Sequence, residues 1–200
     1  MTFNDIANVP VADASDVADW NTFFDLPTNG TPFTSVDVDV NMVRLSGGGN
    51  IFINGSIFYG TENPLISIVD NSGVITSVSD FCFASNWNIT LIKLKALITA
   101  GISSFIECKN LKELRLDALD SCGVACFGQL YDLETLYIPV VSDLGGTTGD
   151  DMVFFGLYTG ENTNNITITV PAALMTCNGG NPDGDIQYLQ ANNTVTIVTI

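Results

Sequence analysis

Apolar positions recur along the chain in columns 22 residues apart. Residues 88–97 read NITLIKLKAL, residues 110–119 NLKELRLDAL and residues 132–141 DLETLYIPVV. Laid under one another, they put apolar side chains at Ile89, Ile92 and Leu94, at Leu111, Leu114 and Leu116, and at Leu133, Leu136 and Ile138. Phe83, Phe105 and Phe127 keep the same spacing, as do Leu97, Leu119 and Val141, and Ile102 with Val124. Alternation within each block predicts a short strand with one buried face, and a unit this small cannot bury that face alone. Parallel strands stacked one per repeat, with the columns as a continuous core, are therefore expected. A displaced copy follows, in which Ile168-Thr169-Val170-Pro171 repeats Leu136-Tyr137-Ile138-Pro139 at a spacing of 32. The extra length lies in residues 143–165, rich in Gly, Thr, Asn and Asp and predicted as a loop insertion, and residues 195–200 read as a closing strand.

Ahead of the array the pattern changes. Residues 15–24 predict a short helix capped by Ser15 or Asp16, with Val17, Trp20 and Phe24 on one face. After turn signals at Pro27-Thr28-Asn29-Gly30 and Pro32, the alternating Val36-Asp-Val-Asp-Val40 predicts a strand, extended by Met42 to Leu45 and ended by Gly47-Gly48-Gly49. Strands are also expected around 51–57 and 65–69, before a turn at 70–73. Residues 1–73 are thus read as an amino-terminal helix and β cap that shields the first repeat's open edge, and residues 74–200 as the solenoid. Trp20, Phe23 and Phe24 are expected to pack into that cap; the alternative makes Val17, Trp20 and Phe24 an outward attachment element.

The frame of each block is L-x-x-L-x-L, and Phe105-x-x-Cys108-x-x-Leu111 precedes it, with Asn86 and Leu130 in the cysteine's place and Pro139 and Pro171 closing two units. This pattern resembles the BspA-like class of leucine-rich repeat over roughly residues 74–171. The resemblance implies a mainly β fold, a short leucine-rich-repeat solenoid of about 22-residue units, and a habit of binding at surfaces; it implies no reaction. The stretch DVADWNTFFDLPTNGTPFTSV, leading directly into the repeats, also looks like the amino-terminal part of structural proteins predicted in tailed-phage genomes.

Composition narrows the partners. The chain has 22 acidic and 6 basic residues, no histidine and a net charge of −16. That charge disfavours nucleic acid and anionic membrane surfaces, and no run approaches the about 20 apolar residues of a membrane helix. The first 20 residues hold no lysine or arginine and no apolar core, which is not the pattern of a secretory signal peptide, so synthesis in a cytosol is expected. Structural thiols are expected of the five cysteines; Cys122 and Cys126, as C-x3-C, make only a weak metal signal. No catalytic residue, metal or cofactor is expected. Without histidine, Ser-His and Cys-His nucleophile systems are excluded, and no motif singles out a carboxylate pair for glycoside hydrolysis. Asn178 to Asp185 groups oxygen ligands as calcium loops do, but without their spacing, and an ordinary polar turn is expected. Within the insertion, either Phe155 continues the phenylalanine column or the loop tip is a contact.

Residues between the buried leucines are expected to form outward ladders. One runs Lys93, Arg115, Tyr137, Thr169; its neighbours run Leu91, Glu113, Thr135, Thr167 and Lys95, Asp117, then the two prolines. Lys93, Lys95, Arg115 and Tyr137 are the candidate contact residues, for a carboxylate-bearing glycan or an acidic protein surface with Tyr137 as a stacking face. Charge balance by Glu113 and Asp117 is the competing expectation. Taken with the resemblances, the expected function is that of a non-enzymatic, homo-oligomeric bacteriophage virion protein. It would be a head or tail fibre, decoration or receptor-binding component that contacts other virion proteins and a host glycan or protein. The alternative is a BspA-like bacterial surface adhesin.

Overall fold

The inward residues Ile68, Ile92, Leu114, Leu136, Ile168 and Ile197 stand directly beside one another across six parallel strands. These strands are β5 (Ser67–Asp70), β7 (Leu91–Leu94), β9 (Glu113–Arg115), β11 (Thr135–Tyr137), β12 (Ile166–Val170) and β13 (Val195–Thr199). The structure, a computed structural model, describes residues 2–4, 16–26, 28–39, 42–53, 55–61, 65–142, 144, 154, 165–192 and 194–200. The displaced copy at Ile168 pairs with Leu136, and Tyr137 with Thr169, in the register its sequence gives. A leucine side chain on one strand alone would stay wet; six in a row remove each other from water, so the core grows with each coil.

Four successive coils turn back through a second parallel sheet, made of β4 (Ile51–Ile53), β6 (Ile75–Val78), β8 (Thr99–Ala100) and β10 (Ser121–Cys122). Past it runs a turn-rich segment centred on a phenylalanine. The rings of Phe58, Phe83, Phe105 and Phe127 stack with centroids 4.9, 5.3 and 6.0 Å apart and planes within 16° of parallel. Phe154 continues the column at 5.8 Å; Phe155, the residue expected there, lies outside the described residues, as does most of the insertion. The column therefore starts one coil earlier than the 22-residue period indicates. With β4 parallel to β6, the stacking reaches back to Ile51, ahead of the expected boundary at residue 74.

Phe83, Phe105 and Phe127 are each bracketed by two residues of left-handed backbone, Phe81 and Ser85, Ser103 and Glu107, and Ala125 and Gln129, with φ between 52° and 58°. A side chain there costs roughly 1–2 kcal/mol. The conformation is held because it aims the amides at the next coil: the N–H groups of Phe81, Phe83 and Ser85 donate to the carbonyls of Ile102, Ser104 and Ile106 at 2.8–2.9 Å, and Ser103, Phe105 and Glu107 do the same one coil on. Gly101 and Gly123 occupy a further column, and a Cβ on Gly123 would meet the backbone nitrogen of Ile102 at 2.6 Å. The coils are too close there for any side chain.

The cap differs from the simple extension predicted. Residues 31–39 and 42–49 are two strands of an antiparallel hairpin, β2 (Thr31–Asp39) and β3 (Met42–Gly49), not one. The three glycines belong to β3, and the Phe33 ring lies over Gly48, where a Cβ would come within 2.9 Å of it. A strand not foreseen, β1 (Thr2–Asn4), pairs antiparallel with both β3 and β5, so the long sheet runs β13-β12-β11-β9-β7-β5-β1-β3-β2.

The helix α1 (Val17–Phe23) is capped by Asp16, whose carboxylate accepts from the Ala18 N–H at 2.8 Å. The Asn21 side-chain amide pairs with the Phe33 backbone in both directions, at 3.1 and 2.8 Å. Trp20 is 0% and Phe24 3% exposed. Phe24 packs on Trp20, Phe33 and Phe58, which joins the cap to the aromatic column. This corrects the expectation that Val17, Trp20 and Phe24 form an outward attachment element: two of its three side chains are inside, where large aromatics gain most.

The last coil carries a helix that was not predicted, α2 (Gly184–Asn192). Its Ile186 and Leu189 are fully buried. The segment 178–185 is a polar turn leading into it, and the Asp183 carboxylate accepts from the Asp185 N–H at 2.9 Å, as a helix cap does.

Candidate recognition face of the solenoid

Register fixes which side chains share the outer face of the long sheet. Val69, Lys93, Arg115, Tyr137, Thr169 and Val198 form one row, and Leu91, Glu113, Thr135 and Thr167 the next. These are two of the three predicted ladders, with neighbours about 4.8 Å apart.

The cations on this face are mostly engaged. Lys93 Nζ lies 2.9 Å from Glu113 on the adjacent strand. The Arg115 guanidinium forks onto both oxygens of Asp117, Nε donating at 2.9 Å, and its Cζ sits 3.9 Å from the centre of the Tyr137 ring. The fork to Asp117 is the main reason the Arg115 pKa is raised. Tyr137 is thus a platform for Arg115 on that side, not a free stacking face. Lys112 lies 3.7 Å from Glu134. Such half-exposed pairs contribute about 0–1 kcal/mol each; their effect is to hold the side chains in place.

Lys93, Lys95 and Arg115 nevertheless converge. Together with Asp70, Asn71 and Asp117 they line an open recess of about 360 Å³ over β5, β7 and β9. Three of the four residues singled out in the sequence meet in one hollow, and the fourth supports its arginine from the side. Asp70 is fully buried, and its oxygens accept from the N–H groups of Gly73 at 3.0 Å and Ile75 at 2.8 Å. Its carboxylate fixes the turn that forms the recess floor. Lys95 has no acidic partner among the described residues, so its ammonium is available.

A second constellation went unseen in the sequence although it keeps the period. Trp87, Lys109 and Tyr131 stack on successive coils, with Lys109 Nζ 4.5 Å from the Trp87 ring and 5.6 Å from the Tyr131 ring. Their 22-residue spacing was the available signal; polar and aromatic side chains in one column do not read as a column when only apolar positions are aligned.

The cysteines are structural where they are buried. Cys108 Sγ donates to the Phe83 carbonyl at 3.0 Å, and burial pushes its thiol up to about 12. Burial likewise raises Cys82 and Cys126. Since the thiolate is the reactive form, these three are expected to resist iodoacetamide near neutral pH. The exposed Cys177 should alkylate first and the half-buried Cys122 second, as peptide mass mapping would reveal. Rapid labelling of Cys108 in the folded protein would contradict this packing. Among the described residues no helix is long and apolar enough to cross a membrane.

A family model described as a BspA type leucine rich repeat region matches residues 41–147 in 6 copies. No curated protein and no solved structure matches the chain.

Proposed function

The chain belongs to the BspA-type leucine-rich repeat family, and from that premise we propose that it is a non-enzymatic recognition protein carried on a bacteriophage particle. In this reading it is a fibre, decoration or receptor-binding component whose long sheet faces its partner. Leucine-rich repeat domains mediate protein–protein contacts, because stacked coils give a broad surface with side chains at fixed intervals. The observation that carries the contact role is the outer row of Lys93, Arg115 and Tyr137, held in register on three adjacent strands and pre-positioned by Glu113 and Asp117. Side chains already ordered lose less entropy on binding.

What supports a particle over other settings is the sequence of residues 16–36, which looks like the amino-terminal part of structural proteins predicted in tailed-phage genomes. A body this acidic, −16 in net charge, also repels nucleic acid and stays soluble at high local concentration. Identical copies are expected to assemble symmetrically, through surfaces other than the buried Trp20 and Phe24. The second reading, favoured by the family itself, is a bacterial surface adhesin contacting host protein or glycan.

Mass spectrometry of density-purified particles and of washed cell envelopes separates them. Enrichment in particles at a fixed ratio to the major capsid protein is the expected result. Enrichment in envelopes alone would replace the virion reading with the adhesin.

A further inference from the structure

We propose that the recess over β5, β7 and β9 binds a carboxylate-bearing sugar residue of the uronic acid type within a glycan. This rests on the sheet being the contact face, as argued above. On a chain with six basic residues in all, three line this one hollow. Against them stand Asp70, whose oxygens are committed to backbone amides, and Asp117, forked by Arg115. Lys93 is in turn paired with Glu113 at 2.9 Å, which leaves the ammonium of Lys95, without an acidic partner among the described residues, as the cation of the lining open to a ligand. That matches a single carboxylate. A sulfated or phosphorylated polyanion would bring more negative charge than the recess neutralises, onto a body that repels it.

The remaining lining favours a sugar over an acidic peptide. All six lining residues are polar or charged. Asn71 both donates and accepts, Asp117 retains lone pairs for hydroxyl donors, and Lys93 and Arg115 donate to ring and hydroxyl oxygens. A peptide would want either an apolar pocket or a strand edge with free backbone groups. Neither is present, because β5, β7 and β9 are each paired on both sides. A recess of about 360 Å³ is at the small end for ligand sites, roughly 300–1,000 Å³, which suits one sugar ring with its neighbours outside.

The test is an NMR and calorimetric titration of the full chain with a short oligosaccharide carrying a single glucuronate, a neutral maltooligosaccharide of equal length, and a capped peptide carrying a single glutamate. The expected result is saturable binding of the glucuronate-bearing oligosaccharide alone, with shifts at Asn71, Lys93, Lys95 and Arg115. Lys95→Ala should weaken it by about tenfold or more and Lys95→Arg should retain it. Lys112→Ala, whose lysine pairs with Glu134 elsewhere, should leave it unchanged. No binding at millimolar sugar, equal binding of the neutral sugar, tighter binding of the peptide at these residues, or indifference to Lys95→Ala would each overturn the proposal. Particle enrichment is read independently, so failure of the sugar site and failure of the virion reading are distinguishable.

Discussion

Phe105→Ala is expected to cost about 3–5 kcal/mol of folding stability, a large part of the about 5–15 kcal/mol that holds an ordinary domain together. The ring is 0% exposed and lies between Phe83 at 5.3 Å and Phe127 at 6.0 Å. Removing it opens a cavity and breaks two stacked pairs, each worth about 0.5–1.5 kcal/mol beyond its area. The effect should also be directional. In a solenoid each coil touches only its neighbours, so a gap at the middle coil uncouples the two halves, and urea unfolding should broaden as well as shift to lower midpoint. Ile102→Ala, at a side chain 45% exposed, serves as control and should change stability by no more than about 0.5 kcal/mol. Equal losses for the two variants would mean that the aromatic column does not hold the coils together.

Asn86→Leu is expected to be nearly as damaging, at about 2–4 kcal/mol, although leucine is what the repeat itself places at the equivalent residue 130. Asn86 is fully buried. Its Nδ2 donates to the Phe58 carbonyl at 3.2 Å, and its Oδ1 accepts from the N–H groups of Asn88 at 3.1 Å and Ile89 at 3.2 Å. Cys108 repeats only the first of these contacts, by donating to the Phe83 carbonyl. A leucine at 86 fills the volume but leaves buried backbone groups without partners, which costs more than the added apolar area returns. Chemical denaturation measures the loss, and hydrogen exchange at Asn88 and Ile89 should accelerate with it. A stable Asn86→Leu variant would show that these amides find water or another acceptor.

These two positions mark the limit of what the primary structure disclosed. Phe105 was legible because its column is apolar and strictly periodic. Asn86 was legible as a member of the column but not as its polar anchor, since the contact it makes reaches back to Phe58 across a coil of different length. The same irregularity hid Asp70 and Asn71 from the recess: Ser67 pairs with Leu91, a step longer than the 22 residues that align Lys93 with Arg115. The helix α2 escaped because its only fully buried apolar side chains among the described residues are Ile186 and Leu189, set among Asn, Gly and Asp that favour turns. The strand β1, three residues long, exists through its pairing on both sides and carries no periodic signal of its own. Where local pattern and stacking agree the fold could be read; where stacking alone decides, it could not.

The ladder of hydrogen bonds between coils also sets how the protein answers a mechanical load. Strands β5 to β13 are bonded sideways along the axis of the stack, so tension between its two ends pulls those bonds open one rung after another instead of shearing a whole rank together. A coil of 22 residues released in this way pays out roughly 7 nm of extended chain. Under traction the solenoid is expected to lengthen in discrete increments and to rewind coil by coil when slack returns.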